Sequence, residues 1–361
     1  MLGRLRHHLI RVSIFLLIVA LIAATVGCDY TPPPSKNLEI RDWYDLDDVR
    51  DNLDGNHKLM NDLHSTTDGY DELAGPTANG GRGWRPIGYG YWAGTQLLGE
   101  IFKGTFDGQG YEIRDLYVSD PDGCQAGLLG FVGEGGIIKN ITVKNVAVTG
   151  CEIVDGLVRF DEDNVRSLIG AMWVAGGLVA YNGGTVSNCY AMGNVTGDSG
   201  VGGLIGYNEG AVNDSYSSGN VAGYQYVGGL VGSNAGTVRN CYCSGKVTGD
   251  EYVGGLVGST IADSVVVYSY STGNVTGNLQ VGGLVGRNTG FVSDSFWDTE
   301  TSGQATSDGG TGKNTTEMRD ITTFSDAGWN IIAVGACGER NPAYIWNIVD
   351  DETYPFLNWE P

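Results

Sequence analysis

The stretch Gly228-Gly-Leu-Val-Gly-Ser-Asn-Ala-Gly-Thr-Val-Arg-Asn-Cys-Tyr-Cys-Ser-Gly-Lys-Val-Thr-Gly249 decides the fold, because both of its halves recur along the chain. Its Gly-Gly-Leu core is repeated in one register at spacings of 26, 26, 26 and 28 residues. The copies begin at Gly176, Gly202, Gly228, Gly254 and Gly282. Self-similarity at a fixed period of this length is the sequence signature of a repeat architecture.

Each copy contains three short runs centred on an apolar residue, such as Leu178, Val186 and Val195, with Gly or Asn between them. The runs are too short for helices and are rich in β-branched residues, so they indicate strands. Three strands per period form one coil of a solenoid, and coils stacked at roughly 4.8 Å bury a continuous apolar column. The sequence therefore predicts an all-β chain, a right-handed parallel β-helix with coils of about 26 residues.

Two columns of turn residues are expected at the corners of this β-helix. Glycines occupy one turn, where a left-handed conformation or close contact between coils would exclude a Cβ; they are Gly193, Gly219, Gly245 and Gly273. Asparagines occupy another, where each amide can bond its own turn and the next amide; they are Asn182, Asn208, Asn234 and Asn288. The fourth copy lacks this Asn and has two extra residues within 260–267, so its corner should bulge.

Composition and charge exclude several functional classes. The chain has 59 glycines but only 9 prolines among 361 residues, and 41% of its residues are hydrophobic, which fits a folded repeat protein. Its formal charge of −21 becomes −24 when the three arginines of residues 1–27 are removed, which disfavours binding to nucleic acid. No histidine lies beyond His64, so a histidine-based catalytic triad or zinc site in the repeats is excluded.

The N-terminus has the pattern of an export signal. A basic segment, an apolar run from Ser13 to Ala24 and small residues precede Cys28, so residues 1–27 are predicted to be a signal peptide. The Gly27-Cys28 junction resembles the lipobox of bacterial lipoproteins, which implies acylation of Cys28 and a mature chain that begins there. An ordinary cleaved signal or an uncleaved anchor is the alternative. Residues 28–37 are Pro-rich and would act as a tether.

The two ends of the solenoid need caps, because an open strand edge promotes polymerisation. Residues 38–83 are predicted to form an N-terminal cap with the first coil, since Leu46, Val49 and Leu53 have helical spacing. The solenoid should then extend over 84–297. Residues 298–361 combine a short helix with aromatic strands and are predicted to be an aromatic C-terminal cap.

With these motifs in view, the repeat over 176–297 resembles the GLUG motif of bacterial and archaeal surface proteins, adhesin-like chains and some immunoglobulin-A peptidases. This resemblance implies a parallel β-helix and a surface location. It does not imply peptidase activity, because the chain has no His-Glu-x-x-His sequence. A degenerate coil over 127–150 precedes the repeats, followed by an insertion at 151–173. Insertions in repeat proteins often lie on the binding face.

Three groups of residues are candidates for sites. One tyrosine per coil could form an exposed strip that stacks on sugars if the small residues beside it face inward; the strip comprises Tyr190, Tyr216, Tyr242 and Tyr270. Cys124 and Cys151 flank the degenerate coil and could form a disulfide, whereas Cys189 and Cys241, two coils apart, should not. Calcium is a weak alternative at Asp161, Glu162 and Asp163, which a solvated loop also explains. No other cofactor is expected.

The sequence thus predicts an exported, membrane-tethered module at the cell surface that binds or adheres without catalysis. Its partners would be the membrane, through lipidated Cys28, and a glycan or surface protein. A carbohydrate-active β-helix enzyme with its site in the 151–173 insertion is the first alternative. A structural spacer is the second.

Overall fold

The computed structural model describes residues 37–93, 95–119, 125–150, 153–154, 157–158 and 173–360. Each full coil contributes strands to three parallel sheets. Sheet 1 comprises Glu39–Ile40, Asn56–Leu59, Thr105–Asp107, Ile137–Lys139, Thr185–Ser187, Ala211–Asn213, Thr237–Arg239, Val265–Val267 and Phe291–Ser293. Sheet 3 comprises Leu129–Val132, Val179–Asn182, Ile205–Asn208, Val231–Asn234, Val257–Thr260 and Val285–Asn288.

Sheet 2 is the largest of the three, with 16 strands among the described residues. Its strands are Glu112–Arg114, Tyr117–Ser119, Gln125–Ala126, Thr142–Thr149, Val174–Gly176, Tyr190–Gly202, Tyr216–Ser217, Asn220–Gly228, Tyr242–Cys243, Val247–Thr248, Glu251–Gly254, Tyr270–Ser271, Val275–Thr276, Leu279–Gly282, Phe296–Asp298 and Thr311–Lys313. Within the described ranges, two strand pairs lie outside the three sheets, Tyr89–Ala93 with Gln96–Glu100 and Ile153–Val154 with Leu157–Val158. A separate three-stranded sheet comprises Ile331–Ala333, Trp346–Ile348 and Phe356–Leu357.

The register confirms one repeat per coil. Val186 pairs with Val212, and Val212 pairs with Val238, so residues at equivalent repeat positions lie side by side in parallel strands. The leucines of the Gly-Gly-Leu core are fully buried in a single hydrophobic core. Since this stacking buries apolar residues and pairs the backbone between coils, the parallel β-helix predicted from the repeat is confirmed.

Both turn columns are present for the predicted reasons. The Asn182 amide donates to Oδ1 of Asn208 at 2.7 Å, and Asn208 donates to Asn234 at 2.8 Å. A Cβ on Gly245 would lie only 1.9 Å from the carbonyl oxygen of Gly219, so contact between coils requires glycine. In the fourth copy Thr260 takes the Asn position, and residues 261–264 replace the usual two residues as a bulge.

The N-terminal end has the predicted helical cap. The α-helix Trp43–Asp47 continues into a 3-10 turn, Asp48–Asp51, and Asp42 caps its start by accepting from the Asp45 amide at 2.8 Å. The other short helices are Tyr70–Leu73, Thr299–Ser302 and Ile321–Ser325, with 3-10 turns at Ala78–Gly81 and Glu317–Arg319. Across the part of the chain described, no helix has both the length and the apolar character to span a bilayer.

The C-terminal region closes the solenoid end with only part of its length. Thr306 accepts from the amide of Gly283, the amide of Asp308 donates to Val285, and strand Thr311–Lys313 extends sheet 2. Residues 317–360, called here the C-terminal segment, instead pack along the side of the β-helix. This segment, part of the predicted aromatic C-terminal cap at 298–361, covers outward-facing aromatic side chains of the coils.

Candidate functional site

The tyrosine ladder, defined as Tyr190, Tyr216, Tyr242 and Tyr270, was the leading sequence-based candidate. The predicted orientation is confirmed, because the small residues on either side, such as Cys241 and Cys243, lie inside the core. The predicted exposure of the ladder is wrong. Exposed fractions are 8%, 6%, 8% and 2% in chain order.

The C-terminal segment is what buries the ladder. Phe324, Trp329, Trp346 and Leu357 form one apolar cluster with the tyrosine rings. Hydrogen bonds fix the segment to the coils: Trp329 Nε1 donates to the Asp294 carbonyl at 2.8 Å, and the Tyr270 hydroxyl donates to the Pro355 carbonyl. Because the segment lies directly on the ladder, these rings are structural.

Stacking within the ladder also occupies the ring faces. Ring centroids lie 4.1 Å apart for Tyr190–Tyr216, 4.7 Å for Tyr216–Tyr242 and 4.9 Å for Tyr242–Tyr270, with nearly parallel planes. A sugar stacks on an aromatic face, so a continuous ladder offers at most the faces at its ends. The sugar-binding role predicted for these tyrosines therefore lacks an accessible face.

Glu360 is the last residue of the C-terminal segment and lies beside the ladder. Its Oε1 accepts from the Leu357 amide at 2.6 Å, and the carboxyl group lies against Tyr242. Burial raises the pKa of Glu360 to about 7, although the Leu357 amide, the Tyr242 hydroxyl and Arg340 act in the opposite direction. This carboxyl group therefore titrates near neutral pH.

A different surface remains open within sheet 2, at a bend of the chain before each coil passes into sheet 3. In four coils a Val-Thr-Gly or Val-Ala-Gly sequence and a Val-Gly-Gly sequence enclose three residues that differ from coil to coil. These triplets are Asp198-Ser-Gly200, Tyr224-Gln-Tyr226, Asp250-Glu-Tyr252 and Asn278-Leu-Gln280. They stack in register, with Ser199 beside Gln225, Gln225 beside Glu251, and Glu251 beside Leu279. We call this surface the variable corner.

The backbone of the variable corner is constrained while its side chains vary. The third residue of each triplet has a left-handed φ: 58° at Gly200, 56° at Tyr226, 57° at Tyr252 and 51° at Gln280. Glycine suits this conformation, and a bulky side chain in it is an outlier that costs free energy. Two coils nevertheless carry tyrosine there, so the strained positions are candidates for a functional role.

The aromatic side chains of the corner have two arrangements. Tyr226 and Tyr252 stack with centroids 4.9 Å apart, and the Arg287 guanidinium lies 5.4 Å from the Tyr252 centroid. Tyr224 is 51% exposed, and its column neighbours are Asp198 and Asp250. Leu279 is also half exposed, at 50%. The corner thus combines a compact stack with an open tyrosine.

Polar side chains of adjacent coils are paired across the corner. Gln225 Nε2 donates to Glu251 Oε2 at 3.0 Å, and Asn278 Nδ2 donates to Asp250 Oδ1. Each carboxylate keeps a second oxygen that can accept from a ligand. The corner can therefore accept hydroxyl hydrogen bonds beside an aromatic surface.

The 151–173 insertion occupies the same place in its repeat as a triplet. Val148-Thr-Gly150 precedes it and Ala175-Gly-Gly177 follows, with Ala175 at the position that Val201 holds in the next coil. Thr149 pairs with Thr196, and Ala175 pairs with Val201, so both flanks adjoin the Asp198–Gly200 coil. Comparing the repeats with one another, rather than searching for shared residues, would have revealed this corner from the sequence.

The remaining candidates do not form a second site. Asp214 and Asp294 share a turn column and have left-handed φ values of 48° and 47°, and Asp214 accepts from the Asn240 amide at 2.9 Å. Burial raises the pKa of Asp214. These carboxylates therefore belong to the turns. Within the described ranges, no group of three His, Cys, Asp or Glu residues could hold a metal.

Several predicted residues lie outside the described part of the chain: Cys28, Cys124, Cys151, Asp161, Glu162 and Asp163. Their predicted roles in lipidation, disulfide formation and calcium binding stay predictions. Cys189 and Cys241 are buried and free, as expected from their separation. Burial raises the pKa of Cys189 to about 12, so this thiol is unreactive at neutral pH.

These observations define a parallel β-helix built from short repeats of about 26 residues. The family model for the GLUG motif matches residues 173–196, 223–248 and 249–276, so the chain carries GLUG-motif repeats. Halomucin of Haloquadratum walsbyi is 31% identical over 120 residues, which is 33% of this chain and 1% of halomucin. A candidate Gly-rich membrane protein of Evansella cellulosilytica is 32% identical over 106 residues, 29% of this chain and 10% of that protein.

The chain therefore spans a small part of either relative's length. A solved structure of a candidate immunoglobulin A1 protease from Bacteroides ovatus superposes with a TM-score of 0.57 at 18% identity, covering 91% of this chain and 94% of that one. At this identity the likeness shows the fold. The chain carries GLUG-motif repeats and is similar to part of a protein named as a membrane protein.

Proposed function

We propose that the chain is a membrane-tethered, extracytoplasmic binding or adhesion module that acts without catalysis and contacts its ligand at the variable corner. The observation that carries the proposal is the contrast between a near-identical framework and divergent triplets within one chain. Framework residues such as Val195 and Val201 are buried in the core, whereas Tyr224 and Leu279 of the triplets are half exposed. Repeat proteins bind partners through such positions.

The strained tyrosines give independent support. Tyr226 and Tyr252 hold a left-handed backbone that Gly200 adopts without a side chain. Strain of this kind is retained at functional sites when the side chain is needed. The tether in this proposal is acylated Cys28, which would give stable anchoring because two or three acyl chains bind a bilayer where one is marginal.

The test displays the purified chain on beads and measures adhesion to cell envelopes, to a glycan array and to surface-protein extracts, beside an assay for polysaccharide release. The key variant replaces Tyr224-Gln-Tyr226, Asp250-Glu-Tyr252 and Asn278-Leu-Gln280 with Asp-Ser-Gly, the chain's own triplet at 198–200. Adhesion that this swap abolishes, without polysaccharide release, supports the proposal. Adhesion that survives the swap, or release by the unmodified chain, overturns it.

A further inference from the structure

We infer that the variable corner binds a neutral polysaccharide, with the Tyr224 ring as its stacking platform. This inference rests on the proposed binding role of that corner. It adds the chemical class of the ligand and the residue that contributes most to binding.

Tyr224 differs from every other ring at the corner. Tyr226 and Tyr252 stack on each other, and Arg287 packs over Tyr252, so that stack is largely satisfied within the protein. Tyr224 stacks on no other ring of the described residues, and half of its surface is in solvent. An amphipathic ring of this kind packs against the C–H face of a sugar while its hydroxyl stays hydrated.

The polar groups around Tyr224 suit hydroxyl donors. Asp250 and Glu251 already accept from the side-chain amides of Asn278 and Gln225, and their second oxygens remain as acceptors. A carboxylate accepts hydrogen bonds but donates none, so it complements the O–H groups of a sugar. The amides position these carboxylates before the ligand arrives, which reduces the entropy lost on binding.

Charge narrows the class of polysaccharide. The corner carries the carboxylates of Asp198, Asp250 and Glu251, and the chain has a formal charge of −21, so an anionic polymer would be repelled. Arg287, the cation beside the corner, packs on Tyr252. The neutral amide partners of Asp250 and Glu251 leave the carboxylate charges in place, so a cationic polymer is the competing ligand and is included in the test. We favour a neutral polymer because the exposed Tyr224 ring offers a face for its C–H groups and the carboxylates accept from its hydroxyls.

The experiment measures binding of the full chain to neutral polysaccharides (β-glucan, xylan and mannan), an anionic one (polygalacturonate), a cationic one (chitosan) and polylysine. Three variants are compared: Tyr224→Ala, Tyr89→Ala as a matched control at 52% exposure far from the corner in sequence, and the triplet swap. We expect one or more neutral polymers to bind. Tyr224→Ala should weaken that binding about tenfold, Tyr89→Ala should leave it unchanged, and added salt should have little effect.

Each possible result contradicts a different claim. Binding only to chitosan or polylysine, weakened by salt and lost in the triplet swap, overturns the neutral-polysaccharide inference but keeps the proposed binding corner. Neutral binding that Tyr224→Ala leaves intact overturns the platform role of Tyr224. Binding that the triplet swap does not change overturns both proposals. No binding to any of the polymers overturns the inference alone, because the adhesion test above also includes proteins.

Discussion

The indole Nε1 of Trp359 donates a hydrogen bond to the carbonyl oxygen of Asp214, 2.9 Å away and 145 residues earlier in the chain. The Trp359 ring lies 5.6 Å from that of Tyr216, so the same side chain contacts both a turn and the tyrosine ladder. This contact holds the end of the C-terminal segment against the side of the β-helix. It explains why a strip of outward-facing tyrosines is buried.

Tyr242→Ala should destabilise the protein by about 3–5 kcal/mol, because it removes a ring packed between two ladder neighbours and Trp346. Leu230→Ala in the core should cost a similar amount, about 2–5 kcal/mol. Tyr224→Ala is the exposed control and should change stability by less than about 0.5 kcal/mol. Denaturant unfolding measures all three; a Tyr242→Ala loss as small as that of Tyr224→Ala would contradict the burial of the ladder.

Glu360→Gln should remove a pH dependence of stability. Because its pKa is raised from 4.5 to about 7 in the folded protein, Glu360 contributes stability that is fully present below pH 4.5 and lost as pH rises through 7. Carboxylates with lowered pKa values, such as Asp107 and Glu112, act in the opposite direction. The measurement is therefore the difference in urea midpoint between wild type and Glu360→Gln across this range. Glu352→Gln, on the exposed surface, is the control, and identical pH profiles for wild type and Glu360→Gln would refute the prediction.

Asn208→Ala should cost about 2–4 kcal/mol, because it leaves the Asn182 donor and the Asn234 acceptor without their buried partner. Asn220→Ala is the matched control, since its amide bonds Asn194 at 3.1 Å on the exposed surface. Thermal and denaturant unfolding should show the first loss and almost none for the second. Equal losses of stability in the two variants would show that the buried asparagine row stabilises the protein no more than the exposed Asn194–Asn220 pair does.

Gly245→Ala should destabilise the solenoid strongly, by about 3 kcal/mol or more, because the added Cβ would lie 1.9 Å from the Gly219 carbonyl oxygen and separate two coils. Gly197→Ala is the control, because the nearest atom to its Cβ lies at 3.4 Å, an ordinary contact. Soluble yield and unfolding midpoints distinguish them. A well-folded Gly245→Ala protein would show that this turn does not require close contact between coils.

Tyr226→Gly should change stability by less than about 1 kcal/mol. Relief of the left-handed backbone, about 1–2 kcal/mol, offsets the lost stacking on Tyr252, about 0.5–1.5 kcal/mol. Tyr226→Val should be clearly destabilising, because a β-branched residue in this conformation is a severe outlier. Calorimetry of the two variants provides the comparison. If valine is tolerated as well as glycine, Tyr226 is not strained.

Much of the fold follows from the repeat itself. Leu204 and Leu230 occupy the same repeat position 26 residues apart, and stacking of successive coils buries both. The same stacking places Asn182 and Asn208 in one hydrogen-bonded row. The inward orientation of Cys241 and Cys243 also follows, because alternate residues of a strand face opposite sides. These features depend on neighbours in the next coil, which the period identifies.

The candidate site was harder to predict because its residues differ from one repeat to the next, whereas the fold is indicated by residues that the repeats share. Tyr224 and Tyr226 lie in a triplet with no counterpart in the repeat pattern, so a search for shared residues passes over them. Tyr242 has a tyrosine counterpart in three other coils, which made it a candidate. Repetition, however, indicates a structural column, and here the column is covered.

The sequence by itself determined the period, the stacking of coils, the buried leucines, the amide row and the side of the strand on which each tyrosine lies. Only the tertiary structure decided which outward-facing aromatic residues meet solvent. The reason is the sequence separation of the interacting residues. Contacts between coils link residues about 26 positions apart, so they produce a periodic pattern in the sequence. The contact between Asp214 and Trp359 links residues 145 positions apart and produces no such pattern. Packing of the C-terminal segment therefore buried the tyrosine ladder and left the variable corner open.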